Sequence, residues 1–305
     1  MTNEDRKPKV SVCVVTYNQE KYIGQCLQSL VDQVADFEFE VIVGDDCSTD
    51  ATASVVQEFA ARYPHIVRAV LHTKNVGHTL NYCSVHGIAR GMYAAHVDGD
   101  DYALPGKLQA QADYLDAHSG CAAVWHRVEV FDDAGSFCIP NLPNVDMFED
   151  GKITLSDLLA FGSIGVHSSI MYRMSATPDR RLEGEALDYW FAVEFLTSGY
   201  GKYLGTVLGG YRLNPHTGIS RAGNGLHLVR RRYIAHLTQL LAKFPKARRQ
   251  IFMNSTINLL YDVKARRPTA RLFLKLAGQS FSFISPREFV AFVKKFRRIN
   301  PNLFP

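Results

Sequence analysis

The chain has 305 residues, 47% of them apolar, with a formal net charge of +4. No stretch approaches the roughly eighteen uncharged apolar residues of a membrane-crossing helix. The opening MTNEDRKPKV is polar and lacks the apolar segment of a secretory signal. Six cysteines (13, 26, 47, 83, 121 and 138) are scattered without CxxC or zinc-type spacing, so a reduced, cytoplasmic protein is expected. The net charge hides an asymmetry. From Leu226 to Pro305 there are 17 Lys and Arg against only Asp262 and Glu288, a net of +15, which leaves −11 on the first 225 residues. Such a split predicts two regions with different partners.

In chain order, Val10 to Thr16 (VSVCVVT) is a continuous β-rich run, as expected of a strand buried on both faces. Tyr17-Asn18-Gln19-Glu20 breaks it, and Ile23, Cys26, Leu27, Leu30 and Val31 then mark a helix. Phe39 to Gly44 predicts a second strand. It ends in Asp45-Asp46-Cys47-Ser48-Thr49-Asp50, which offers N-caps to a helix through Val55, Val56 and Phe59. Ile66 to Leu71 is expected as a strand, Leu80 to Arg90 as a helix and Met92 to Val97 as a fourth strand. The run Asp98-Gly99-Asp100-Asp101 follows, then a helix opened by Pro105. Alternation of this kind implies a parallel sheet covered by helices on both faces. Ligands on such sheets bind beyond the carboxyl ends of the strands, where all three polar motifs fall.

The segments VSVCVVTYNQEKYIGQCLQSLVDQ, FEVIVGDDCSTDAT and ARGMYAAHVDGDDYALPGKL resemble the N-terminal half of family 2 (GT-A fold) glycosyltransferases. The likeness continues more weakly through GVHSSIMYR and EALDYWFAVEFLTSG to GGYRLNPHTGIS, over residues 9 to 221. It implies an α/β fold, a Rossmann-like, mostly parallel sheet with flanking helices. The catalytic domain would span 1–222, divided into a nucleotide-sugar half (about 9–120) and an acceptor half (about 121–222), followed by a basic helical region over 223–305. The implied activity is inverting, metal-dependent transfer of a sugar from a UDP-sugar to a saccharide or lipid-linked saccharide, in cell-surface polysaccharide synthesis.

The resemblance also implies site residues. Thr16, Tyr17, Asn18 and Asp46 would hold the uracil, a role that fits a carboxylate accepting a ring N–H and a tyrosine stacking on the base. Asp46 is equally suited to capping a helix or shaping a turn. DGDD resembles the DxD motif. Asp100 would bind Mn²⁺ or Mg²⁺, hard ions that prefer oxygen ligands; Asp98 would touch the donor ribose or sugar; Asp101 would assist or face solvent. Asp188 takes the position of the catalytic base, with Glu185 as the alternative, because Leu187 stands where the family often has an acid. Trp190 is a candidate acceptor platform or a core residue, and Arg212 and His216 are candidates to reach the diphosphate. Asn75-Val76-Gly77-His78 resembles a loop near the nucleotide, though a turn explains it as well.

Beyond residue 223 the pattern turns helical. Leu226, Val229, Tyr233, Ile234, Leu237, Leu240 and Leu241 recur at helical spacing; Pro268 opens a further helix; and Ser285-Pro286-Arg287-Glu288 is a capping-box pattern ahead of another. The positive surplus suits an anionic membrane surface, so peripheral attachment to the inner face of the cytoplasmic membrane is expected. No nucleic-acid-binding motif is present, and no nucleic-acid partner is expected. The competing reading is a non-catalytic nucleotide-sugar or polyanion-binding protein on a degenerate GT-A fold.

Overall fold

A computed structural model describes residues 7–137, 144–176, 185–213 and 225–300. In chain order the first elements are β1 (Val10–Thr16), α1 (Ile23–Val31), β2 (Phe39–Asp45), α2 (Thr52–Arg62), β3 (Val67–Leu71), α3 (His78–Gly87) and β4 (Tyr93–Asp98). Next come β5 (Tyr102–Ala103), α4 (Lys107–Ala117), β6 (Cys121–Phe131), β7 (Lys152–Ile153), α5 (Leu155–Phe161), β8 (Met171–Arg173), α6 (Asp188–Phe195) and β9 (Tyr200–Arg212). Four helices follow: α7 (Gly225–Lys243), α8 (Arg248–Lys264), α9 (Ala270–Gln279) and α10 (Pro286–Ile299). The chain divides into two compact units. One comprises Met1–Ile139, Gly165–Glu185 and Glu194–Leu213; the other comprises Pro140–Ile164, Ala186–Val193 and Asn214–Pro305.

The first unit is built on a sheet in the order β3-β2-β1-β4-β8-β6-β9-β5. β1, the middle of the parallel part, pairs in register with β2 on one side and β4 on the other. All seven of its residues are buried, which is why the sequence reads as an unbroken apolar run rather than an alternation. Ile23, Cys26, Leu27 and Leu30 of α1 are fully buried and join Val12, Val14, Val41, Val43 and Val97 in the main core. Four predicted strands and the helices between them stand where expected, β1 with the same bounds and the other ends moved by at most three residues. The sheet is mixed beyond β4: β8 runs antiparallel to both β4 and β6, and β6 pairs parallel with β9.

The second unit holds α7 to α10. Its core gathers Ala160, Ile257, Phe292 and Phe296, with Phe161, Met253 and Val293 packed on them. The capping box at Ser285 and Glu288 forms as the sequence predicts, with Pro286 in the first turn. One helix escapes the apolar pattern: α8 buries Asn254, Ser255 and Asp262 beside Ile251 and Ile257. That polar face is internally satisfied. Asp262, fully buried, takes ion pairs from Arg230 at 2.7 Å and Arg267 at 3.5 Å, and the Thr269 hydroxyl donates to it at 2.5 Å. The tail's other acid, Glu288, pairs with Arg249 at 2.6 Å.

Candidate active site

β1, β2 and β4 run parallel, so their carboxyl ends bring three loops together. The register sets Thr16 opposite Asp45 and Val15 opposite Asp98. Gly99 presses against the end of β1. A Cβ there would lie 2.6 Å from Gln19 Oε1 and 2.9 Å from Thr16 Cβ, so only glycine lets the acidic turn lie so close.

Within the first loop, Thr16 is buried and its hydroxyl donates to Gln19 Oε1 at 2.8 Å. Asn18 takes a left-handed backbone (φ 52°), donates its N–H to Ser48 Oγ at 2.9 Å, and accepts from the Thr49 N–H at 2.8 Å. It stitches two loops together. Tyr17, 46% exposed, is the member of the trio that presents a ring to solvent.

Asp46 is 4% exposed, and both of its oxygens are engaged. The Val76 N–H donates to Oδ1 at 2.6 Å and the Gly77 N–H to Oδ2 at 3.0 Å. Gly77 has φ +88°, a conformation glycine adopts freely. The NVGH stretch is therefore a loop clasped by Asp46. Glu185 belongs to the same neighbourhood, because the Thr79 hydroxyl donates to its Oε2 at 3.2 Å.

The three carboxylates of DGDD meet different surroundings. Burial works to raise the Asp98 pKa, but a hydrogen bond from His96 and the nearby imidazoles of His96, His167 and His78 outweigh it and hold Asp98 below the ordinary range. Asp100 goes the other way: burial, then repulsion from Asp98, push it up to about 6. Asp101 is raised by burial and by both neighbours. At 2% exposure Asp101 does not face solvent, as one sequence expectation had it; it turns inward and accepts the Arg212 N–H at 2.8 Å. Asp100, pushed up beside an ionised Asp98, is the carboxylate whose charge a hard divalent cation would relieve.

Two cations frame this loop. Arg212 donates through Nε to the Asp100 carbonyl at 3.0 Å, and its guanidinium lies between the rings of Tyr22 and Phe131, 4.4 and 4.5 Å from their centroids. Lys107, which the sequence reading passed over, is 1% exposed and donates to the Ser168 carbonyl at 2.5 Å. Burial lowers its pKa to about 8, while Asp101 and Asp98 pull the other way. Its place in a predicted helix just after Pro105-Gly106 was the available signal, but nothing local marks a lysine as buried.

In the other unit, Asp188 is exposed and begins α6, where the helix dipole favours an acid. Trp190, 9% exposed, packs on His236 with ring centroids 5.2 Å apart. His216 lies outside the described residues.

A mostly parallel α/β sheet whose acidic and aromatic loops meet at the carboxyl ends of β1, β2 and β4 is the architecture of the GT-A glycosyltransferases. The sequence profile of glycosyl transferase family 2 matches residues 11–173, and the chain belongs to that family. An uncharacterized protein of Mycobacterium tuberculosis is 33% identical over 208 residues, covering 68% of this chain and 59% of that one; the match thus spans about three fifths of that relative. The Bacillus subtilis protein EpsE, named as a glycosyltransferase, is 32% identical over 208 residues, covering 64% and 69% of the two chains. Among solved structures, residues 1–349 of Staphylococcus aureus TarS in complex with UDP-GlcNAc superpose with a TM-score of 0.64 at 21% identity, covering 97% of this chain and 82% of that one. At that identity the likeness speaks for the fold.

Proposed function

We propose that this chain is an inverting, metal-dependent glycosyltransferase. In this reading it moves a hexosyl or N-acetylhexosaminyl group from a UDP-sugar to a saccharide or lipid-linked saccharide acceptor of the cell surface. The observation that carries the reading is the convergence of the TYN, DD and DGDD loops on one sheet edge, with Asp98 and Asp100 partly exposed and the Tyr17 ring open to solvent. The TarS structures solved with UDP and with UDP-GlcNAc support a uridine donor.

Thr16, Tyr17, Asn18 and Asp46 would form the uracil end, with Tyr17 stacking on the base, and Asp98 would receive the ribose or sugar. Asp100 is the residue to hold Mn²⁺ or Mg²⁺, which would supply Lewis-acid stabilisation of charge on the departing diphosphate. Asp188 is the base that takes the acceptor hydroxyl's proton as its oxygen attacks the anomeric carbon, with Glu185 as the alternative. Trp190, Arg212 and His216 are the remaining candidates for acceptor or diphosphate contact. Residues 223–305 would meet an anionic membrane at the inner face of the cytoplasmic membrane. The surplus of 17 Lys and Arg over two acids from Leu226 to Pro305 supports that reading.

The test is UDP release from a panel of UDP-sugars with Mn²⁺, Mg²⁺ or EDTA, using a lipid-linked saccharide extract as acceptor. Turnover is expected to need the metal and to fall by about three orders of magnitude in Asp100→Ala and Asp188→Asn. Loss in Glu185→Gln with full activity in Asp188→Asn would transfer the base role to Glu185. Binding of UDP without any turnover would make the chain a nucleotide-sugar-binding protein instead.

A further inference from the structure

Behind the acidic loop lies a column of aromatic side chains that the proposed reaction does not use. Ala94, His96 and Asp98 alternate along β4 and so share one face of the sheet; Tyr172 of β8 pairs with Ala94 and stands on the same side. α3 adds Tyr82 and, one turn later, His86, stacked on each other with centroids 3.8 Å apart. His167 stacks on His96 at 3.9 Å, and Phe195 on Tyr172 at 3.9 Å. Within this column the polar atoms form a chain. Tyr172 Oη is 2.7 Å from His86 Nδ1, His86 Nε2 is 3.0 Å from His96 Nδ1, and His96 Nε2 is 3.2 Å from Asp98 Oδ1. His86 and His96 are both fully buried, and Tyr172 is 1% exposed.

The direction of the chain follows from its carboxylate end. An ionised carboxylate can only accept, so His96 must donate through Nε2. With one N–H on each ring, His96 Nδ1 accepts, His86 Nε2 donates, and His86 Nδ1 accepts a hydrogen bond from the Tyr172 hydroxyl. One carboxylate thus fixes two tautomers and a hydroxyl rotor. The Ser168 hydroxyl lies 3.3 Å from Asp98 Oδ2, and the Asp98 N–H donates to that same hydroxyl oxygen at 2.9 Å.

We propose that Tyr172, His86 and His96 are positioning residues for donor binding: a one-directional hydrogen-bond chain that locks the Asp98 carboxylate in the orientation that meets the donor's ribose or sugar hydroxyls. The proposal rests on the donor-site reading above. Its logic is that of a supported binding group, whose rotamer is held by partners that never touch the ligand.

The experiment joins steady-state kinetics with ring-nitrogen NMR of the ¹⁵N-labelled full chain. His96→Phe keeps the stacked ring and removes the donor; His96→Gln returns an N–H near the position of Nε2. His96→Phe is expected to raise the UDP-sugar KM about 10- to 100-fold with a smaller change in kcat, the effect of losing a hydrogen bond to a charged group. His96→Gln is expected to recover most of it. Tyr172→Phe, a single-oxygen change on a retained ring, is expected to shift the His86 and His96 tautomer populations. The spectrum of the unaltered chain should show both rings protonated at Nε2. Unchanged KM in His96→Phe, equal loss in Phe and Gln variants that both fold, or a His96 ring protonated at Nδ1 would each overturn the proposal. If the unaltered chain turns over no donor, the transferase reading fails separately. The ring spectrum, compared with that of Asp98→Asn, then decides the chain alone: His96 signals unmoved by that substitution would refute it.

Discussion

At the scale of single residues, the DGDD turn divides its charge unevenly. Asp98 is held ionised by a buried histidine, while Asp100 is pushed up to about 6. Unfolded, Asp100 would release its proton near pH 3.9. Between these values the folded chain binds the extra proton, so this residue's contribution to stability falls as pH rises through the window. We therefore expect Asp100→Asn, neutral and nearly isosteric, to raise the thermal midpoint in EDTA by about 2–4 °C at pH 7 and to leave it unchanged near pH 4. Thermal unfolding at the two pH values measures this, and a gain of equal size at both would show that charge is not the cause. The acidic triplet was legible in the sequence, as was its place at a strand end. That Asp101 turns inward onto the Arg212 N–H was not, because the partner lies 111 residues away.

At the scale of elements, Asp46 couples β2 to the loop that opens α3. Its two oxygens accept the Val76 and Gly77 N–H groups, and the Asn75 amide donates to its carbonyl at 3.3 Å. Asp46→Asn would leave one of those N–H groups facing an NH₂ instead of an acceptor. The expected cost is about 1–3 kcal/mol, seen as a lower denaturant midpoint with an unchanged slope. UDP affinity by calorimetry should fall with it if the clasped loop borders the nucleotide. A destabilised variant with unchanged UDP affinity would leave Asp46 a structural residue only. Among the elements, β1 and α1 were readable because burial on both faces and on one helical stripe leave distinct apolar patterns. α8 was not, because its buried stripe mixes Ile251 and Ile257 with Asn254, Ser255 and Asp262; Asn254 and Asp262 bond to groups of α7, the α8–α9 turn and the Leu159 carbonyl, and Ser255 back to the Ile251 carbonyl.

At the scale of the whole molecule, charge is segregated: +15 on residues 226–305 against −11 before them. Phe281 and Phe283 are 65% and 86% exposed just ahead of Arg287, an apolar and basic combination suited to a lipid headgroup layer. Cosedimentation with anionic vesicles is expected at roughly 50 mM salt and to be lost by about 500 mM, since each surface cation contributes about 1 kcal/mol and is screened. Neutral vesicles should not bind, and Phe281→Ser with Phe283→Ser should weaken attachment without altering UDP affinity. Equal binding to neutral vesicles would reject the electrostatic reading. Sequence alone determined the alternating α/β order, the three polar strand ends and the charge split, because each is written in local spacing and composition. Only the tertiary structure decided that Asp46 clasps the 75–77 loop, that Lys107 lies beneath the acidic turn, and that two histidines and a tyrosine line up behind Asp98. Those contacts mostly join groups on different strands, helices and loops, up to 86 positions apart, and local periodicity carries no record of which polar groups a fold will bury together.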